Sequence, residues 1–260
     1  MVAAALYEPA GDEYRPTKAT RSPWHPAAQH GGPPAALALR EIEAAAGPEM
    51  AVMRFDVHLF GEVPVVPLRV VSHVIRPGRK VALHEAEVTA GGKVVVKATA
   101  WVVRRTEVAL PELPDALPDP PPPPESLPPL EFRFNDYEEF AGAALDKRLI
   151  SGQLAGPGRA AVWLRLTLPL VAGEPTTPFQ QLAAIADSGN GVSWALPIDR
   201  YLFINTDLSI APYRPPAGEW FALDSVSHLH PSGRGTAYTD LFDRDGWLGR
   251  SSQSLYVSER

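Results

Sequence analysis

Apolar and polar positions along this chain form two stretches of the same kind. In the first, His30-Gly31-Gly32-Pro33-Pro34 leads into an alanine- and leucine-rich run, residues 35–42. Proline is tolerated in a first helical turn, and alanine and leucine favour helix, so the run predicts a helix entered directly from two glycines. Four strand-like segments follow, residues 52–58, 68–75, 81–88 and 94–103, the last two joined by the turn Thr89-Ala90-Gly91-Gly92. The second stretch repeats the order. A helix-like run over residues 179–187 precedes strand-like segments 201–210, 220–230, 235–243 and 247–257, with Asp243-Arg244-Asp245-Gly246 as a hairpin turn.

Proline separates the two stretches. Ten of the 29 prolines fall between Pro111 and Pro129, five of them consecutive from Pro120 to Pro124. Such a run favours an extended polyproline connector over a packed element. The expected organisation is therefore an N-terminal domain over residues 1–108, a connector over 109–130 and a C-terminal domain over 131–260. Local correspondences favour a duplication. Asp56-Val57-His58-Leu59 aligns with Asp207-Leu208-Ser209-Ile210, Gly78-Arg79-Lys80 with Gly233-Arg234-Gly235, and Gly92 with Gly246. Pattern alone supports an α+β chain whose halves each fold a sheet around or against one helix.

Composition narrows the function classes. A chain of 260 residues that is 45% hydrophobic can bury a substantial core, in one large domain or two smaller ones. The net charge of −6 argues against a protein that tracks nucleic-acid phosphates with a basic face. The absence of cysteine excludes a disulfide framework, a thiolate nucleophile and cysteine-ligated zinc. No apolar run approaches the length of a membrane span, and the N-terminus has no basic segment followed by a long apolar one, so a cytoplasmic location is expected. There is no Gly-x-Ser-x-Gly elbow, Walker loop or dinucleotide fingerprint. His228 and His230 share one strand face without a nearby third ligand, so no metal and no cofactor are expected.

Three polar side chains in the second stretch are the candidates for chemistry: Asp187 at the end of its helix, Asn205 opening Asn205-Thr206-Asp207-Leu208-Ser209, and Gln253 on the last strand. Together they suggest a site that activates water. A carboxylate at a helix C-terminus opposes the macrodipole by about 0.3–1 kcal/mol, so an offsetting role for Asp187 is reasonable.

In these residues the chain resembles the acyl-CoA thioesterase II type, built as a double hotdog. The resemblance rests on His30-Gly31-Gly32, the helix ending at Asp187, residues 205–209, Arg214-Pro215-Pro216 with Glu219-Trp220, Gly233-Arg234-Gly235, Asp245-Gly246 and the Gln253 strand. It implies hydrolysis of an acyl thioester of coenzyme A by an Asp, a Thr and a Gln that hold a water. Asp187 and Gln253 match the first and third, whereas Asn205 stands in the place of threonine. Adjacent strand residues face opposite ways, so Thr206 is not a simple substitute, but the Asn carbonyl can accept a hydrogen bond from water. Arg76, Arg79, Lys80, Arg214 and Arg234 are candidates to meet the coenzyme phosphates. Two alternatives follow from the same fold: a binder of acyl thioesters that does not hydrolyse them, and a hydratase, which requires an Asp–His pair reachable from His58 or His228. Strand edges and exposed helices also allow a homo-oligomer.

Overall fold

The computed structural model describes residues 4–112, 117–154 and 156–260, so part of the proline-rich connector, residues 113–116, lies outside the described residues. In chain order the elements are β1 (Tyr7–Ala10), β2 (Glu13–Pro16), β3 (Ala28–Gln29), α1 (Gly32–Ala46), β4 (Met50–Leu59), β5 (Val63–Pro64), β6 (Leu68–Arg76), β7 (Val81–Ala90) and β8 (Lys93–Arg104). The second half contributes α2 (Phe140–Ala143), β9 (Leu145–Ser151), β10 (Ala160–Leu166), α3 (Pro178–Ala186), α4 (Gly189–Val192), β11 (Tyr201–Asn205), β12 (Asp207–Pro212), β13 (Phe221–His230), β14 (Arg234–Asp243) and β15 (Gly246–Glu259).

Thirteen strands form one antiparallel sheet in the order β1-β2-β6-β7-β8-β4-β12-β15-β14-β13-β10-β9, with β11 paired to β15. The order reads the same from either end when each half is mapped on the other, because β4 and β12 meet at the centre. Their register sets Val57 opposite Leu208, Asp56 opposite Ser209 and His58 opposite Asp207. An approximate two-fold axis therefore passes between Val57 and Leu208, and the two segments aligned in the sequence are its mates. This is an α+β double hotdog, each half of the sheet curving around one long helix.

Residue size explains how closely sheet and helix approach. On β7 every second residue is buried, and the inward row is Ala82, His84, Ala86, Val88 and Ala90. The facing row of β8 is Val96, Ala98, Ala100 and Val102. These short side chains leave room for α1, which is itself buried from Gly32 to Leu39. α3 is buried along its length from Phe179 to Ala186 and packs against α1. The halves are also tied by the N-terminal segment, where Leu6 and Tyr7 donate backbone N–H to Pro169 and Leu170.

The expected elements are present with shifted ends, and three differences have physical causes. Residues 201–210 form two strands, because β11 and β12 both pair with β15 but the chain breaks step at Thr206. Strands β9 and β10 lie in a region for which no strand was expected; β10 is apolar on both faces, since its outward row is also covered. The cover is the proline segment itself. Trp163 donates its indole N–H to the Pro122 carbonyl, Pro124 is buried, and Leu127 packs on the cluster of Trp163, Ala222 and Phe242. Proline has no N–H to leave unsatisfied, so this extended run lies against the sheet without competing for ladder hydrogen bonds.

The two helices cross head to tail, so each end of the pair juxtaposes one helix start with one helix finish. At one end Thr177 and Gln180 form a capping box at the start of α3, and both donate to Glu43 Oε2 near the end of α1, at 3.0 and 2.7 Å. Burial raises the Glu43 carboxyl, and the Gln180 and Thr177 hydrogen bonds only partly offset it. The folded protein thus holds this proton more tightly than the unfolded chain, and its stabilisation is lost as pH rises through the folded value. Thermal unfolding of wild type and Glu43→Gln across the acidic-to-neutral range should show the variant gaining relative stability as pH rises. At the other end, a Cβ on Gly32 would lie 2.0 Å from the Ala184 carbonyl oxygen. Gly32→Ala is expected to lower stability by about 3 kcal/mol in chemical denaturation, because the obstacle is backbone and cannot rotate away.

Candidate active site

The open end of the helix pair is where the site forms. Gly31 and Gly32 carry no side chain, so the first turn of α1 seats directly on the last turn of α3. A Cβ on Gly31 would lie 2.9 Å from Asp187 Oδ2. Asp187 caps the C-terminus of α3 and is 7% exposed. The dipole of its own helix disfavours its charge, but its carboxylate abuts the N-terminus of α1, whose dipole favours it. Pro33 and Pro34 have no N–H, so at the start of this turn Gly31 and Gly32 keep their backbone donors, and that of Gly32 points to His30 Nδ1.

Three side chains converge on the carboxylate, and the backbone N–H of Asn190 braces one of them. Asn205, the last residue of β11, donates Nδ2–H to Asp187 Oδ1 at 2.7 Å and to the Asp207 carbonyl at 3.1 Å. Gln253 donates to the Asp187 backbone carbonyl at 3.1 Å and to Oδ1 at 3.3 Å, and accepts from the Asn190 N–H at 2.9 Å. Asn190 also donates to the Phe203 carbonyl at 2.9 Å. On the other oxygen, His30 Nδ1 stands 3.0 Å from Asp187 Oδ2 and 3.1 Å from the Gly32 nitrogen. These two contacts demand opposite protonation states. An unprotonated Nδ1 accepts from Gly32, whereas a protonated Nδ1 donates to Asp187 and leaves the Gly32 N–H unengaged.

The structure thus brings Asp187, Asn205 and Gln253 together, but not in equivalent positions. Asp187 and Asn205 line a cavity of about 460 Å³; Gln253 does not. Gln253 is buried behind the carboxylate on β15 with both donors and its carbonyl in use, so it fixes Asp187 and the start of α4. The floor there is tight. A Cβ on Gly189 would lie 2.7 Å from Thr239 Oγ1 and 3.2 Å from Gln253 Oε1. Thr206 also lines the cavity, because the break between β11 and β12 suspends strict alternation of faces.

His30 and Asn190 complete the site and were not singled out for chemistry from the sequence. For His30 the available signal was a histidine immediately before two glycines and two prolines at a helix start. For Asn190 it was Gly189-Asn190-Gly191, where the flanking residues admit close backbone approach. Neither His58 nor His228 lines the cavity. Nor do the five basic residues considered for phosphate binding, and Arg214 is engaged elsewhere: with Ala217 and Asp245 backbone N–H groups it satisfies buried Asp243, locking the β14–β15 hairpin.

Two chemically distinct walls enclose the cavity. One is aromatic: Trp194 stacks on Phe134 with centroids 4.9 Å apart and lies 6.4 Å from Trp24, while Phe203 meets both tryptophans edge-on. The other is aliphatic, from Leu145, Leu154, Val162, Leu164 and Val192. Apolar walls with a few convergent polar groups at one place are the usual make-up of a small-molecule site.

Family models match both halves of the chain. Residues 20–103 match the acyl-CoA thioesterase N-terminal domain and residues 111–257 the C-terminal domain. The chain belongs to the acyl-CoA thioesterase family. A thioesterase II structure from Thermobifida fusca YX, described there as putative, superposes with a TM-score of 0.74 at 18% identity, covering 98% of this chain and 96% of that one. An acyl-CoA thioesterase II from Mycobacterium marinum gives 0.69 at 18% identity, covering 96% and 94%. A hot dog fold protein of unknown function from Alicyclobacillus acidocaldarius gives 0.73 at 18% identity, covering 98% and 96%. At these identities the likeness establishes the fold. No curated protein matches the chain. Among the described residues no helix is long and apolar enough to cross a membrane.

Gln253→Leu is expected to lower stability by about 1–3 kcal/mol in chemical denaturation, because it strands the buried Asn190 N–H and Asp187 carbonyl without partners. An unchanged midpoint would show that water replaces the amide there.

Proposed function

We propose that this protein hydrolyses an acyl-CoA thioester to the free acid and coenzyme A, with Asp187 as the group that orients and deprotonates water. The observation that carries the reading is the convergence of Asp187, Asn205 and His30 at one place in a predominantly apolar cavity. Asn205 commits both N–H groups to Asp187 and Asp207, so its carbonyl oxygen is the part left to accept from water. A water that donates to Asp187 Oδ2 and Asn205 Oδ1 presents a lone pair to the thioester carbonyl. An asparagine therefore fills the threonine's place as an acceptor.

Attack forms the new C–O bond while the water proton passes to Asp187, which shares it with His30 Nδ1. Protonation of Nδ1 releases the Gly32 N–H, which together with Gly31 stabilises the negative charge developing on the carbonyl oxygen. Collapse breaks the C–S bond, and the proton leaves with the coenzyme thiolate. Gln253 is a positioning residue that keeps the carboxylate in plane. No covalent acyl-enzyme is required, because a thioester carbonyl is already electrophilic.

One observation also favours a second reading. The 3.0 Å approach of His30 to Asp187 supplies the Asp–His pair that a hydratase requires, from a histidine in the first half. The two readings separate on 2-enoyl-CoA: a hydratase consumes the double bond without releasing thiol.

The test is free-thiol release from saturated acyl-CoA esters of graded chain length, with 2-enoyl-CoA in parallel. Wild type should release thiol saturably, and Asp187→Asn should lose about 100-fold or more in kcat/KM while remaining folded. Asn205→Thr should retain activity, whereas Asn205→Leu should not. Thiol release at background on every ester would leave binding without hydrolysis; loss of the double bond without thiol would establish the hydratase.

A further inference from the structure

The aliphatic wall of the cavity contains one charged residue. Lys147 lies on β9 between Leu145 and Leu149 in the strand's inward row, opposite Leu164 of β10, and is 5% exposed. An ammonium has three N–H donors. Two are taken by the carbonyl oxygens of Ala141 and Leu145. Among the described residues no carboxylate forms an ion pair with it. Glu139 is occupied by the backbone N–H groups of Phe134, Ala141 and Gly142, and Asp146 is paired with Arg148 and Arg165. Glu139, Glu131 and Asp146 act on Lys147 only through space, without a hydrogen bond to it. Burial pulls the ammonium down from the usual lysine range.

Lys147 is also a partition. With Phe132 and Leu145 it borders both the main cavity and a second one of about 400 Å³, whose wall includes the polar residues Glu131, Arg133, Asp146 and Thr167. An acyl chain lying along the wall formed by Val162 and Leu164 therefore meets at Lys147 a desolvated cation with an unused donor and no directly bonded carboxylate. A methyl group there would leave the ammonium unsatisfied. A carboxylate would take the third donor in a charge-assisted hydrogen bond and become the one anion bonded directly to the ammonium.

We propose that Lys147 selects acyl groups bearing a carboxylate at the end remote from the thioester. This rests on reading the main cavity as the acyl site, and it adds the substrate class. Its capping of two carbonyls near α2 explains why the chain tolerates a buried lysine, but not why an apolar residue is absent from a cavity wall.

The experiment compares ω-carboxyacyl-CoA esters with methyl-ended and ω-carboxamide esters of equal length, on wild type and Lys147→Met, by thiol release. Wild type should favour the carboxylate over both neutral ends at its preferred length, by about tenfold for a bond of this kind, and Lys147→Met should abolish that ratio. Equal ratios in the two proteins, or a wild-type preference for the methyl or carboxamide end at every length, would overturn the proposal. If Lys147→Met fails to fold, the carboxylate-against-carboxamide comparison on wild type and on Lys147→Arg decides, since both retain the cation. If no ester releases thiol, the same pairs are measured by calorimetric binding. Tighter binding of the carboxylate would then support the selectivity while the hydrolase reading fails, and equal binding would overturn the selectivity as well.

Discussion

The contact between the first turn of α1 and the last turn of α3 governs the rest of the molecule. Gly32 lets the Ala184 carbonyl sit where any other residue would place a Cβ, and Gly31 does the same for the Asp187 carboxylate. Through this contact a histidine from the first half reaches an aspartate from the second, about 157 residues later in the chain. Neither half alone contains the site. The continuous sheet, joined at β4 and β12, holds the two helices at the distance this contact needs.

The approximate two-fold arrangement gives the helix pair two comparable ends, and they differ in use. At one, Glu43 is engaged by Thr177 and Gln180, which also cap α3, so the polar groups there serve the fold. At the other, Asp187 has partners arranged on three sides and a cavity on the fourth. The same elements, a carboxylate at the end of one helix facing the start of the next, thus close one end and equip the other. Asn205 and Gln253, from the paired strands β11 and β15, hold Asp187 Oδ1 from two sides and fix the carboxylate before any ligand arrives.

Much of this was legible in the chain. Alternation along β7 and β8, the glycine turns and the Asp56 and Asp207 segments led to two matching halves, and the last of these proved to be the sheet's centre. The positions of Asp187, Asn205 and Gln253 were also readable through their local settings. What was not legible came from long-range packing. His30 approaches Asp187 only because of the helix crossing. Gln253 and Asn205 differ in access to the cavity for reasons of strand depth, which a linear pattern does not carry. Strand β10 lost its alternation because a proline segment covers its outer face, and Lys147 sits among leucines in a position whose charge is meaningful only once the cavity is seen.

The central claim is that Asp187 orients a water and does not itself attack the thioester. Single-turnover hydrolysis in oxygen-18 water, with enzyme in excess over acyl-CoA, tests it most directly. Direct attack by water places one labelled oxygen in the acid formed in the first turnover and none in the protein. An unlabelled acid in that turnover, with the label subsequently found in the Asp187 carboxylate, would establish an anhydride intermediate and contradict the account.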